Sequence, residues 1–260
     1  MNKTLFASLL TLLLLAACAA PQAAPLPAAT EPPATQAPAA TEPPTATEPP
    51  VPTPVPPTAT PENQIFRDDF SGSLQPGWTW EFEIPELWTI TDDGWLQIQA
   101  GDGSLFVNES QSNLLWRGLP EGDFTIVTHV QANPTENFQQ ASIFLYEDKD
   151  NYLTINRGYC QPCGPRGNAI YMDYMIDGQI KGYNQPLQDT DVYLKLESVG
   201  QTISGYYAVQ PGQWQRVGRF GNYFTFTQVG LGVSNADPQG TGATDLVGLY
   251  DYFEITKAGT

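Results

Sequence analysis

From Ile65 onward the chain alternates apolar and polar residues in short runs, and no window shows convincing helical periodicity. The runs are rich in Tyr, Phe, Trp, Val, Ile and Thr and are broken by Gly, Pro and Asn, the pattern of half-buried strands. Asp123 to Gln131 places Phe124, Ile126 and Val130 on one face and His129 on the other. In Asp191 to Glu197, Val192, Leu194 and Leu196 share a face opposite Tyr193, Lys195 and Glu197. Asp177-Gly178, between two such runs, predicts a type I′ hairpin, and Gly200-Gln201 and Pro211-Gly212 predict further turns. About a dozen to fourteen short strands at regular spacing predict an all-β fold, a two-sheet antiparallel sandwich and not a βαβ unit.

The first quarter of the chain reads differently. Lys3 precedes an apolar run, Leu9 to Ala17, that is too short to span a bilayer. It ends Leu15-Ala-Ala-Cys18, which resembles the lipobox of bacterial lipoproteins. That resemblance implies cleavage before Cys18 and acylation of Cys18, with two or three chains giving stable anchoring. An ordinary secretory signal, cut after Ala17 or Ala20, is the alternative. Fifteen of the 24 prolines fall between Pro21 and Pro61, and Thr-Glu-Pro-Pro recurs at Thr30, Thr41 and Thr47. Without aromatic residues, residues 19–63 cannot bury enough apolar surface to offset backbone ordering, so a disordered linker is expected there. Its contour in polyproline II is on the order of 140 Å. The expected division is therefore a signal at 1–18, a linker at 19–63 and a folded domain at 64–260. Localisation is expected to be extracytoplasmic, with the domain carried outward on a membrane-anchored stalk. The formal charge of −17 and the lack of a basic patch argue against a nucleic-acid partner, because phosphate neutralisation needs clustered Lys and Arg. Contact with a lipid bilayer is expected through Cys18 alone.

The order of motifs in the folded part carries a family resemblance. The part opens Phe66-Arg-Asp-Asp-Phe-Ser-Gly72, followed by Trp78 and Trp88, then Gly94-Trp-Leu-Gln-Ile98. Gln140-Ala-Ser-Ile-Phe-Leu-Tyr146 leads to Asp150-Asn-Tyr152, and later come Tyr193-Leu-Lys-Leu-Glu197, Trp214-Gln-Arg-Val-Gly218 and Asp251-Tyr-Phe-Glu-Ile255. This order resembles the concanavalin A-like jelly-roll domain at the C-terminus of family 43 β-xylosidases, over essentially Phe66 to Ile255. The resemblance implies two curved antiparallel sheets whose concave face or rim meets carbohydrate. In the xylosidases the module is accessory to a separate catalytic propeller. Concanavalin A-like folds often hold a structural calcium ion, and the resemblance points to Asp69 and Asp251. Only these two of the six to eight oxygens that calcium needs can be named, so surface acids without a metal are the alternative. No other cofactor is expected.

Catalytic chemistry has thin support. Glu81-Phe-Glu83-Ile-Pro-Glu86 mimics the carboxylate spacing of laminarinase-type hydrolases, in which two carboxyls flank the scissile bond. It departs from that pattern at Glu83, where Asp is usual, and Pro85 removes a ladder donor. His129 is the single histidine, and no Gly-x-Ser-x-Gly elbow accompanies it. Cys160-Gln-Pro-Cys163 sits in a Gly- and Pro-rich turn and not at a helix start, so a structural disulfide is favoured over redox chemistry. Arg157 and Arg166 flank that turn and could shape a binding rim.

Six Trp and twelve Tyr make the positive case, because sugars stack their C–H faces on aromatic rings beside amide and carboxylate groups. One alternating face of the middle strands carries Gln140, Ser142, Thr154, Asn156, Tyr171 and Asp173, with Tyr193 and Lys195 expected one strand further. Ala141, Ile143, Leu153, Ile155, Ile170 and Met172 alternate into the expected core. Trp78, Trp88, Trp95 and Trp214 read as packing residues, while Trp80 is a candidate for the sugar face and Trp116 is open. The expected function is a non-catalytic, lectin-like module whose partner is a polysaccharide or cell-surface glycan. Its rivals are a glycosidase using two of Glu81, Glu83, Glu86 or Asp173, and a scaffold or protein-binding module.

Overall fold

The computed structural model describes residues 62–101, 103–105, 111–164, 166–235 and 245–259. The signal segment, Cys18 and the linker up to residue 61 lie outside the described residues. The early strands are β1 (Gln64–Asp68), β2 (Thr79–Glu81), β3 (Trp88–Ile90), β4 (Leu96–Gln99) and β5 (Leu114–Gly118). Long central strands follow: β6 (Phe124–Ala132), β7 (Gln139–Asp148), β8 (Asn151–Cys160), β9 (Gly167–Ile176) and β10 (Gln179–Pro186). The last are β11 (Asp191–Val199), β12 (Thr202–Ala208), β13 (Gln215–Gly221), β14 (Gln228–Asn235) and β15 (Val247–Lys257). One 3-10 turn, Pro85–Leu87, is the only helical element among the described residues.

These strands form two antiparallel sheets, which is the expected sandwich. The front sheet runs β10-β9-β8-β7-β14-β5-β2. The back sheet runs β13-β12-β11-β6-β15-β4-β3, with β1 also paired to β15. The alternation decides which residues meet between them. Ala141, Ile143, Leu153, Ile155, Ile170 and Met172 of the front sheet are fully buried against Ile126, Val130, Val192, Leu194 and Leu196 of the back sheet. Tyr250 crosses this core from β15. Its hydroxyl accepts the Ser142 N–H (2.9 Å) and donates to the Gly232 carbonyl (2.9 Å), so both sheets share one buried polar anchor.

Asp68 explains why the domain opens as it does. It is fully buried, and its carboxylate accepts the backbone N–H of Phe70 and Gln75 and the Trp78 indole N–H. The Asp177-Gly178 hairpin has positive φ at both residues, 49° and 71°, as a type I′ turn requires.

One expectation about sheet membership fails. After β10 the chain leaves the front sheet through residues 187–190, and β11 pairs with β6 and β12 in the back sheet. Tyr193 and Lys195 therefore lie on the outer face of the opposite sheet. They cannot share a platform with Gln140 or Asp173.

Candidate functional site

The outer face of the front sheet holds a cavity of about 300 Å³. Its floor comes from alternation alone: Gln140 on β7, Thr154 on β8, and Tyr171 and Asp173 on β9 all line it. Ladder pairing sets them side by side, with Thr154 opposite Asp173 and Asn156 opposite Tyr171. Asn156 is fully buried on this face, and its amide donates to the Thr154 hydroxyl (3.3 Å). Of the expected sugar-contact residues, Gln140, Tyr171 and Asp173 thus come together at one cavity, with Asn156 beside them.

Asp173 is the central group. Its carboxyl lies against Gly182, where an added Cβ would stand 2.0 Å from Oδ1, so only glycine leaves room for it. Burial pushes the Asp173 carboxyl up to about 7, and among the described residues it forms no ion pair. Burial likewise raises the Tyr152 and Tyr171 hydroxyls, with Asp173 adding to both. The Tyr171 hydroxyl donates to the Gly167 carbonyl (2.6 Å), which fixes its ring in the cavity wall. Gln111 also lines the cavity. It is 2% exposed, and its Nε2 has no hydrogen-bond partner among the described residues.

Cys160 and Cys163 form a disulfide at one end of the cavity, with Cα atoms 5.4 Å apart. Cys160 packs with Tyr171 and Ala169, so the bridge backs the Tyr171 wall. Arg157 is no rim residue, since it points into the sandwich and is fully buried. Its Nε donates to the Asp189 carbonyl (2.7 Å) and its Nη1 to the Gly158 carbonyl (3.0 Å), and burial lowers it to about 10. Arg166 stays exposed.

Several other candidates lie elsewhere. Trp80 faces the core edge and packs on Trp88 with ring centroids 4.7 Å apart, because its ladder partner is the inward Leu115. The opposite alternate, Trp116, is the tryptophan that reaches the outer face. The acidic trio does not form a catalytic pair. Phe82, at φ 50°, breaks the strand after Glu81, so Glu81 and Glu83 no longer share a face. Glu81 accepts the Trp116 indole N–H (2.7 Å), Glu83 accepts that of Trp88 (3.0 Å), and Glu86 sits on the exposed 3-10 turn.

On the back sheet, His129 is held between two acids and two rings. Nδ1 is 3.0 Å from Asp251, Nε2 is 2.5 Å from Asp191, and the imidazole stacks on Tyr193 at 4.2 Å. Asp69 pairs with Arg67 at 2.6 Å. Arg67 thus engages one of the two acids expected for calcium and His129 the other. No group of three or more His, Cys, Asp or Glu is placed to hold a metal among the described residues. Trp95 and Trp214 also sit on this sheet, beside His129 and Lys195, and not in the core.

Sequence reasoning missed the cavity's walls. Phe144 and Tyr152 were readable, since Phe144 is four positions from Gln140 and Tyr152 two from Thr154, each on the same face as the floor. Ser104, Leu105, Gln111 and Phe138 come from connections, which carry no periodic signal.

A comparison with curated protein sequences gives no match. Among solved structures the chain resembles a GH43 protein of Bacillus licheniformis, with TM-score 0.64 and 20% identity over 78% of this chain and 41% of that one. It is also similar to the xylan β-1,4-xylosidase of Bacillus halodurans C-125, with TM-score 0.60 and 22% identity over 78% of this chain and 41% of that one. A third likeness is to GH43B of the Bacteroides ovatus xyloglucan locus, with TM-score 0.63 and 16% identity over 77% and 41% of the two chains. This chain thus spans about two fifths of the length of these proteins, which share its fold. The β-xylosidase C-terminal concanavalin A-like domain matches residues 67–254, and the chain belongs to that family.

Proposed function

We propose that this chain is a non-catalytic carbohydrate-binding module, anchored outside the membrane through acylated Cys18 and carried on the 19–63 stalk. The cavity beside Asp173 carries the reading. It combines ring surfaces from Tyr152 and Tyr171 with polar groups that have no partner among the described residues, and polyhydroxyl ligands suit that combination. Family membership supports it, since the domain belongs to enzymes that act on sugars. A glycosidase would need a second carboxyl facing Asp173 across the cavity, and Glu81 and Glu83 are turned to indole N–H groups instead. A scaffold would present a flat apolar patch, whereas this face holds a cavity lined in part by polar groups.

A glycan array probed with the purified full chain, followed by calorimetry on the hits, tests the proposal. Tyr171→Ala is expected to lose most of the affinity, while Tyr171→Phe keeps the ring and most of the binding. Unchanged affinity in Tyr171→Ala would refute the assigned face, and no binding to any glycan would refute the function.

A further inference from the structure

We infer that the cavity is a blind pocket for the terminal unit of a neutral glycan, with Asp173 as the residue that reads its hydroxyls. The inference rests on the carbohydrate reading above and narrows it to chain ends.

The outer face of the front sheet is not an open trough. Toward β5 it is filled by Leu105, Leu114, Trp116 and Phe144, and the same apolar cluster continues past Thr154 and Asp173 as Tyr152 and Met175, each residue at most 7% exposed. Trp116 lies flat over β14, where a Cβ on Gly230 would meet its indole at 2.3 Å, and Glu81 holds the indole N–H. A glycan laid across the strands would have to climb this block. At the other end stand Phe138 and the Cys160–Cys163 turn. The Asn184 amide on the edge strand β10 donates to the Gly164 carbonyl of that turn and closes the corner. A cavity of about 300 Å³ is at the lower bound for small-molecule sites (about 300–1,000 Å³). That is the volume of about ten waters, enough for one or two sugar rings and not for a longer chain.

Charge narrows the ligand further. Asp173 and Lys181 both line the cavity. A uronic acid would meet Asp173 as well as Lys181, and an amino sugar Lys181 as well as Asp173, whereas a neutral sugar meets no like charge. The Asp173 oxygens have no donor among the described residues, and a carboxylate accepts two donors side by side. Two adjacent hydroxyls of a terminal ring supply that pair, while the Gln111 amide offers a donor in return.

The test is calorimetry with the full chain against xylo-oligosaccharides and cello-oligosaccharides of one to six units, with glucosamine and glucuronic acid as charged probes. Affinity is expected to level off by two units, at one domain per oligosaccharide whatever its length. Glucosamine and glucuronic acid should bind at least tenfold more weakly than glucose or xylose, whichever binds better. Asp173→Asn should weaken binding at least tenfold with no loss of thermal stability. Affinity that climbs through four or more units overturns the blind pocket and leaves the carbohydrate reading standing. Preferential binding of a charged sugar overturns the neutral class, and unchanged affinity in Asp173→Asn overturns that residue's role. If neither these probes nor the array gives binding, the carbohydrate reading fails and this inference with it.

Discussion

Replacing Asp173 by Asn removes a buried ionisable group without changing its shape, so its effect follows from proton linkage. The ordinary value of 3.8 applies in the unfolded chain, and burial raises the folded value to about 7. Below pH 4 both states hold the proton and the substitution changes little. Between about 4 and 7 the unfolded chain releases its proton while the folded one keeps it, so wild-type stability falls as pH rises. Above about 7 both are ionised and the cost is complete. At about 1.4 kcal/mol per pH unit the full difference corresponds to about 4 kcal/mol. Asp173 keeps part of its surface open to the cavity, so water screens it and about half that cost, about 2 kcal/mol, is expected. For a domain of this size that is about 4–8 °C in Tm. The assay is thermal unfolding by near-UV circular dichroism from pH 4 to 9, on wild type and Asp173→Asn in parallel. The two curves should meet near pH 4 and separate through pH 7, with the variant more stable. A constant offset, or a variant less stable at pH 8, would refute the claim that an uncompensated carboxyl sits in this cavity.

Gly182→Ala puts a methyl 2.0 Å from Asp173 Oδ1 and should cost about 1–3 kcal/mol in urea unfolding and remove sugar binding. Unaltered affinity would show that the carboxyl is not held against β10. The double change Cys160→Ser, Cys163→Ser opens a very short loop and should cost about 2 kcal/mol by chain entropy, while weakening sugar binding through the loosened Tyr171 wall. Arg157→Met leaves the Asp189 carbonyl without its donor and should cost about 3 kcal/mol by chemical unfolding. Tyr193→Ala and Lys195→Ala, on the opposite sheet, should leave glycan affinity within twofold by calorimetry.

Much of the fold was legible because a period of two assigns faces residue by residue. Ala141, Ile143, Ile155 and Met172 had to point one way, and Gln140, Thr154 and Asp173 the other, whatever the topology. Alternation does not say which sheet a strand joins. The link at residues 187–190 is short enough for a hairpin, and the sequence does not announce that it crosses between sheets, which is why Tyr193 and Lys195 were misplaced. Glu81 and Glu83 failed for a local reason, since a period of two holds only while the strand continues and Phe82 leaves the extended region. Trp80 and Trp116 sit on opposite alternates of paired strands, and three residues of β2 are too few to show which alternate faces in. The cavity's far wall was out of reach altogether. Ser104, Leu105 and Gln111 approach Asp173 across more than sixty positions of sequence, by loop geometry and not by pattern.

The two outer faces of the sandwich differ in one respect that bears on function. On the back sheet, each nitrogen of His129 meets a carboxylate, Arg67 pairs with Asp69, and Lys195 stacks on Tyr206 and Trp214. That face satisfies itself. On the front sheet, Gln111 Nε2, Ser142 Oγ and Asn156 Oδ1 are buried without partners among the described residues, and the Asp173 carboxyl bears a desolvation cost. Each such group is unfavourable by about 1–3 kcal/mol, and four together approach the whole stability of a typical domain, about 5–15 kcal/mol. Apolar residues at these positions would fold more stably. A face that keeps polar groups buried and unpaired beside a cavity is organised around something outside the chain, and the partners it lacks are hydrogen-bond donors for Asp173 and acceptors for Gln111. Sugar hydroxyls are both.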